Sequence, residues 1–216
     1  MTSTGTELHV WADIRCPWCW MGHRRIAAAI TRTGVPARVA HRSYLLEPQG
    51  PATGRRLVRD LALSVWGLSS EEWAGLRDRI QRSAREDGLT IRMDSVRAID
   101  SRDAHRVLAL VAARGLDTAA AWDAMFAAHL EHHHDLEDWD QLVRIGVQAG
   151  LDPGDVRALA ESDDFVTDVL DDHHEARSRD VGEVPAVVCG ARQLSGARSV
   201  HELETFVRSA ASGAVA

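Results

Sequence analysis

The hydrophobic pattern of the first 45 residues predicts a compact strand–helix–strand unit. Residues 8–13 (LHVWAD) alternate apolar and polar positions, as a short strand does. A helix follows, with Ile26, Ala27 and Ile30 on its apolar face and Gly34 as its stop signal. Residues 37–45 predict a second strand. Two strands joined through a helix in this way predict a parallel βαβ unit.

From about residue 51 the pattern becomes helical and stays so to about residue 180. Helix starts are predicted at Ser69 with Glu72 as a capping box, near residue 101, after Asp117, at Asp152 and near Phe165. Strand patterns return in EVPAVVCG and RQLSG, which predict a β-hairpin. A second capping box, Ser199 with Glu202, opens the last helix.

This order of elements predicts the fold class. It is an α/β thioredoxin-like fold (βαβ…ββα) with a large all-helical insertion. We expect a discontinuous thioredoxin-like domain formed by residues 1–50 and 181–216, and a helical insertion domain formed by residues 51–180.

Composition and charge narrow the classes of function. The chain has 216 residues and a formal net charge of −7, which disfavours nucleic acid and anionic membranes as partners. No apolar run approaches the roughly 20 residues of a membrane span, and the N-terminus has no signal-peptide pattern, so we expect a cytoplasmic protein. All 25 basic residues are arginine, which excludes lysine chemistry such as a Schiff base.

The candidate chemistry lies in DIRCPWCW, residues 13–20. Cys16 ends a strand-to-helix turn, Pro17 occupies the first helical position, and Cys19 lies one turn later. Free N–H groups and the helix dipole favour a thiolate at Cys16, and the i, i+3 spacing brings the two sulfurs within disulfide reach. A thiolate beside a second thiol is what thiol–disulfide exchange requires.

A zinc site is the alternative use of such a pair. Structural zinc takes four ligands, and Cys189 is the one remaining cysteine in the chain. A Cys₃His site is therefore an alternative, but a disfavoured one. His129, His132, His133 and His134 lack the companion motifs of a metal site, and His129 falls on an apolar helix face. We therefore predict no metal and no cofactor, and a buried thiol at Cys189.

Pro185 in GEVPAVV is the second feature of interest. Proline removes a ladder donor and is usual at strand edges or starts. In a thioredoxin-type core this strand enters beside the cysteines, where a cis bond would turn the backbone of Val184 toward them. The N–H and C=O groups of Val184 could then pair with an extended substrate segment. The general frequency of X–Pro bonds favours the trans form.

With these motifs in view, the chain resembles the DsbA-like thioredoxin-fold family, in particular its cytoplasmic FrnE-like branch. The resemblance rests on DIRCPWCWMGHRR, YLLEP, DSRDAHRVL, MFAAHLEHHHDLEDWDQL and GEVPAVVCG. It implies a thiol–disulfide oxidoreductase with Cys16 as nucleophile, Cys19 as resolving thiol and a cis bond at Pro185. It also implies thiol- or disulfide-containing protein or small-molecule substrates, and it allows a homodimer.

The same resemblance leaves a second activity open. Glutathione-dependent isomerases and transferases of the kappa and 2-hydroxychromene-2-carboxylate type share the architecture but carry serine where Cys16 stands. A thiol-cofactor-dependent isomerase or transferase, with a glutathione- or mycothiol-type cofactor, is therefore the alternative function. The presence of cysteine at both positions favours redox exchange.

Three further residues are candidates for supporting roles. His105 lies in the shared DAHR segment, on a helix expected over the active site, where it could stabilise a thiolate, relay protons or simply pack. Asp13 could assist proton transfer to Cys19 or bond to its own loop. Trp18 could contact substrate or cover the disulfide. The sequence does not give the redox direction.

Overall fold

The computed structural model describes residues 6–51 and 54–213. The segment before residue 6, on which the expectation about a signal peptide partly rests, and residues 52–53 lie outside the described residues. Within the described ranges the chain forms one four-stranded sheet and nine α-helices.

The sheet contains the strands that the sequence predicts, with shifted ends. Strand β1 covers Thr6–Ala12, β2 Ala37–Ser43, β3 Ala186–Cys189 and β4 Arg192–Ser195. Their order is β2-β1-β3-β4, with β1 parallel to β2 and β3 antiparallel to both of its neighbours. The predicted parallel βαβ unit and the predicted hairpin are both present. Strand β3 is shorter than its motif, because it begins after Pro185.

The nine helices of the described ranges include seven that begin at predicted starts and two, at Val58–Ser64 and Trp139–Gln148, that lie within the stretch predicted as helical. They are α1 Pro17–Thr33, α2 Val58–Ser64, α3 Ser70–Glu86, α4 Arg102–Ala113, α5 Thr118–Leu130, α6 Trp139–Gln148, α7 Pro153–Ala160, α8 Val166–Ser178 and α9 Val200–Gly213. Ser69 and Glu72 form the predicted capping box, and Ser199 and Glu202 exchange the same pair of bonds before α9. One prediction shifts: Phe165 precedes α8 in a left-handed conformation instead of lying within the helix.

Two hydrophobic clusters stabilise the fold, one on each side of the sheet. The smaller cluster joins β1 to α1 and α9 through Leu8, Ile26, Phe206 and Val207. The larger cluster contains Cys16 and Cys19 and extends without a break into helices α3 to α8. The helical segment therefore packs directly on the end of the sheet where the cysteines lie, while its division into a separate domain at residues 51 and 180 stays a prediction.

Gly22 of α1 lies directly against the Pro185 ring, just before β3. A Cβ atom added to Gly22 would lie 2.6 Å from Pro185 Cγ and 3.1 Å from its Cβ. No side chain fits in that space unless α1 or the segment before β3 moves. Glycine is therefore required at position 22 by the close approach of Pro185.

This contact predicts opposite effects of the same substitution at two helical glycines. Gly22→Ala should lower the free energy of unfolding by about 1–3 kcal/mol, as overpacking does. Gly75→Ala should raise it by about 0.5–1 kcal/mol, because Gly75 lies within α3 with nothing within 4 Å of the added atom. Urea unfolding of both variants measures the difference. Equal stability of the two variants would contradict the contact.

Candidate active site

Helix α1 begins directly after Cys16 and places both cysteines at its N-terminal end. Cys16 is the N-cap residue in an extended conformation, Pro17 is the first helical residue, and the Cys19 amide donates to the Cys16 carbonyl at 3.0 Å. Both cysteines are free thiols, 8% and 1% exposed. Cys16 is thus at the positive end of the helix dipole, as the sequence predicts.

The segment before β3 approaches the same cysteines. The Val184–Pro185 peptide bond is cis, and Cys16 Sγ lies 3.9 Å from the Val184 carbonyl oxygen, to which its thiol donates. Val184 is 7% exposed, so the backbone beside the thiol is partly shielded from solvent. Strand β3 starts at Ala186, directly after Pro185. The Pro185 carbonyl anchors this end of the strand by accepting a hydrogen bond from the Gly196 amide at 2.8 Å.

Cys19 differs from Cys16 in its surroundings. Burial raises the pKa of the Cys19 thiol well above its usual value, and the adjacent Cys16 sulfur adds to the rise. Cys19 therefore retains its proton until a base removes it. This division between a helix-capping sulfur and a buried protonated sulfur fits an attacking and a resolving thiol.

Asp13 and His105 form a fully buried pair behind the cysteines. Both are 0% exposed, and His105 Nε2 lies 3.7 Å from Asp13 Oδ1, too far for a hydrogen bond but close enough for an ion pair. The amides of Arg15 and Leu46 donate to the two Asp13 oxygens at 3.0 and 2.8 Å. Burial raises the pKa of Asp13, but the interaction with His105 and the nearby Arg15 outweigh it, so the pKa is lowered overall.

His105 is held by aromatic packing and not by hydrogen bonds. Its ring meets Trp122 edge-on at 5.3 Å between centroids, and neither ring nitrogen has a hydrogen-bond partner. An imidazole with two unused nitrogens beside a carboxylate is equipped to exchange a proton. The sequence indicates His105 and Asp13 as two separate candidates, and in the structure their side chains are neighbours.

His129 is the second buried histidine of the site. It is 2% exposed, and its Nε2 atom has no hydrogen-bond partner. Burial lowers the pKa of His129 to about 4, with Asp13 opposing the change. The ring is thus buried on the apolar helix face that the sequence indicates, and this nitrogen is unsatisfied.

A groove of about 390 Å³ opens beside Cys16. Trp18 lines it from the active-site turn, and Arg79 lies over the Trp18 ring at 5.7 Å. Helices α2 and α3 and their neighbours supply its apolar walls, Val58, Leu61, Trp66, Trp73, Leu76 and Ile80. None of these wall residues is predicted from the sequence. Trp66 is 56% exposed in the structure, which marks an uncovered apolar surface.

Other candidates lie away from this groove. Cys189 ends β3 and is half-buried against the smaller cluster, so the prediction of a buried thiol is only partly met. His132 and His134 are exposed beyond the end of α5.

A larger cavity, of about 610 Å³, lies between β2, α4 and α8, and neither Cys16 nor Cys19 lines it. In the described ranges no group of three His, Cys, Asp or Glu side chains is arranged to hold a metal ion.

A known protein family matches most of the chain. A sequence model described as a DSBA-like thioredoxin domain matches residues 7–208. No curated protein sequence matches the chain. A structure from Streptomyces coelicolor, described as a probable DsbA oxidoreductase, is 28% identical, with a TM-score of 0.88 over 95% of this chain and 89% of that one.

Two more distant structures share the fold. A 2-hydroxychromene-2-carboxylate isomerase is 17% identical, with a TM-score of 0.68 over 96% of this chain and 98% of its own. The cytosolic disulfide reductase DsbM from Pseudomonas aeruginosa is 16% identical, with a TM-score of 0.60 over 97% and 100% of the two chains. A second DsbM structure, with a TM-score of 0.61, contains GSH.

The lowered pKa of His129 predicts a pH dependence of stability. The unfolded chain takes up this proton near pH 6.5 and the folded chain near pH 4, so stability is lost as the pH falls from about 6.5 to about 4. The loss reaches up to about 3 kcal/mol. His129→Gln should remove this loss, whereas His201→Gln, at an exposed position of α9, should retain it. Urea unfolding between pH 7 and pH 4.5 measures both, and parallel curves for the two variants would contradict the assignment.

Proposed function

The chain belongs to the DSBA-like thioredoxin domain family, and from that premise we propose that it is a thiol–disulfide oxidoreductase using Cys16 and Cys19 as its redox pair. The observation that carries the proposal is the position of Cys16. It caps α1 as a free thiol, lies 3.9 Å from the Val184 carbonyl and opens onto an apolar groove.

In the reducing direction, the Cys16 thiolate attacks one sulfur of a substrate disulfide. A Cys16–substrate disulfide forms, the substrate's own disulfide breaks, and the other substrate sulfur leaves as a thiolate. Cys19, once deprotonated, attacks Cys16 Sγ and releases the second substrate sulfur. Two electrons pass from the protein to the substrate, and Cys16 and Cys19 end as a disulfide. The oxidising direction is the reverse sequence, and the reduction potential of the pair decides between them.

The Asp13–His105 pair takes up the proton of Cys19 in this proposal. Cys19 is buried and protonated, so the resolving step requires a base that solvent does not supply. Asp13 is held in place by two backbone amides, and His105 keeps both ring nitrogens free of other partners. Each is fully buried, so a proton transferred to the pair stays within the protein.

Val184 and Trp18 are assigned to substrate binding. The N–H and C=O groups of Val184 would form hydrogen bonds with the backbone of an extended substrate beside Cys16. Pro185 and Pro17 fix the backbone on either side of the Cys16 thiol. The substrates are proteins or small molecules containing a thiol or a disulfide, and no cofactor takes part. Across the described residues no helix is long and apolar enough to cross a bilayer. As part of the proposal, the protein acts in the cytoplasm and can form a homodimer.

The alternative is a thiol-cofactor-dependent isomerase or transferase. The fold shared with 2-hydroxychromene-2-carboxylate isomerase and the GSH in a DsbM structure favour it. In that case Cys16 would bind or activate the cofactor thiol without forming a disulfide with Cys19. The two activities differ in whether Cys19 is needed.

Serine variants of the two cysteines test the proposal. Cys16→Ser should reduce disulfide exchange to the uncatalysed rate, because it removes the nucleophile. Cys19→Ser should retain the first attack and accumulate a mixed disulfide at Cys16, visible as an adduct by mass spectrometry. Cys189→Ser is the control and should exchange disulfides like the wild type. Full exchange activity in Cys16→Ser would refute the mechanism, and full disulfide-exchange turnover in Cys19→Ser would refute the resolving role of Cys19.

The proton-transfer role predicts a selective defect in His105→Gln. The resolving step should slow about a hundredfold, the lower end of what general bases contribute, while the first attack by Cys16 changes little. Raising the pH should restore part of the rate, because hydroxide can then deprotonate Cys19. Stopped-flow measurement of each step separates the two effects. If both steps slow equally at every pH, His105 has only a structural role.

A further inference from the structure

Few ionisable side chains in the groove are free to meet a substrate. Besides Cys16, those that line it are Arg15, Glu47, Arg97 and His129. Arg15 and Glu47 are hydrogen-bonded to each other and neutralise one another. What is left is the Arg97 guanidinium and the His129 Nε2 atom, which has no hydrogen-bond partner although the ring is 2% exposed.

Arg97 carries a charge that no carboxylate neutralises within the described part of the chain. Its Nη1 donates to the Arg55 carbonyl at 2.9 Å, so the edge of the guanidinium formed by Nε and Nη2 has no partner there. Arg55, by contrast, contacts Asp135 and Glu137 at 2.9 and 2.7 Å. A free guanidinium edge matches the two oxygens of a carboxylate.

A second, smaller cavity extends the groove at this point. It measures about 270 Å³, and Arg97 and His129 line it as well as the groove. Arg55, His133, His134 and Asp135 complete its polar lining. With Arg55 and Asp135 paired, the net formal charge of this lining comes from Arg97. The lining of this cavity is therefore positively charged, although the chain as a whole has a formal net charge of −7.

We propose that Arg97 selects substrates by charge, and that the substrate is a small thiol or disulfide whose sulfur-bearing chain also carries a carboxylate. This inference rests on the proposed redox function. The sulfur reacts at Cys16, the aliphatic part lies on the apolar walls, and the carboxylate pairs with Arg97 in the same groove. A groove of about 390 Å³ has the size of a small-molecule site.

The reaction used for the test is balanced with a dithiol as reductant. The reduced protein converts one substrate disulfide into two thiols, and Cys16 and Cys19 become a disulfide. Excess dithiothreitol gives up two electrons and two protons and restores the cysteine thiols. The substrate probes are dithiodipropionate, which carries carboxylates, hydroxyethyl disulfide, which is neutral, and cystamine, which carries ammonium groups.

Wild-type protein should reduce the three probes with kcat/KM in the order anionic, neutral, cationic. Arg97→Gln should lower kcat/KM for dithiodipropionate about tenfold, the effect of losing one charge-assisted hydrogen bond, and leave hydroxyethyl disulfide within about twofold. Arg97→Glu should invert the order so that cystamine becomes the best of the three. Arg85→Gln removes the same charge from an exposed position of α3 outside the groove and should leave all three rates unchanged.

The outcomes separate this inference from the function on which it rests. Equal changes for all three probes in the Arg97 variants, or no change in any, overturn the charge selection while reduction of hydroxyethyl disulfide upholds the redox function. Absence of reduction of every probe by the wild type overturns both. Circular dichroism of the Arg97 variants checks that they are folded, and the persistence of hydroxyethyl disulfide reduction in them confirms an intact cysteine pair.

Discussion

The contact between Pro185 and Gly22 is the constraint on which the site depends. It joins the helix that presents the cysteines to the segment that enters β3, and these two parts are far apart in the sequence. Because no side chain stands between them, the Val184 carbonyl comes within 3.9 Å of Cys16 Sγ. The attacking sulfur, the helix N-terminus and the backbone that would receive a substrate are thereby held in one place.

The helical segment completes what the sheet and α1 begin. Helix α4 brings His105 to Asp13, helix α5 brings His129 to the groove, and α3 supplies Trp73 to its wall. Buried side chains from β1, α1 and these helices form one continuous cluster around the cysteines. The thioredoxin-like part thus provides the sulfurs and Asp13, whereas the inserted helices provide His105 and most of the apolar walls of the groove.

The sequence predicts those features that depend on neighbouring residues. The start of α1 at Pro17 and the capping box at Ser69 are local signals, and the structure contains both. Other features, which depend on the packing of particular side chains, escaped prediction. The need for glycine at position 22 follows from Pro185, and the unsatisfied nitrogen of His129 follows from the helices packed around it. Cys189 shows the same limit, because its partial exposure reflects its place at the end of a short strand.

The central claim is that Cys16 and Cys19 form a reversible two-electron couple. Its most direct test is equilibration of the protein in dithiothreitol or glutathione redox buffers, followed by alkylation of free thiols and mass spectrometry of the active-site peptide. The account predicts a single transition in which both cysteines change together, with a potential within roughly −270 to −120 mV, the span of this fold. Cysteines that remain thiols across the whole range, or that oxidise independently of each other, would contradict it.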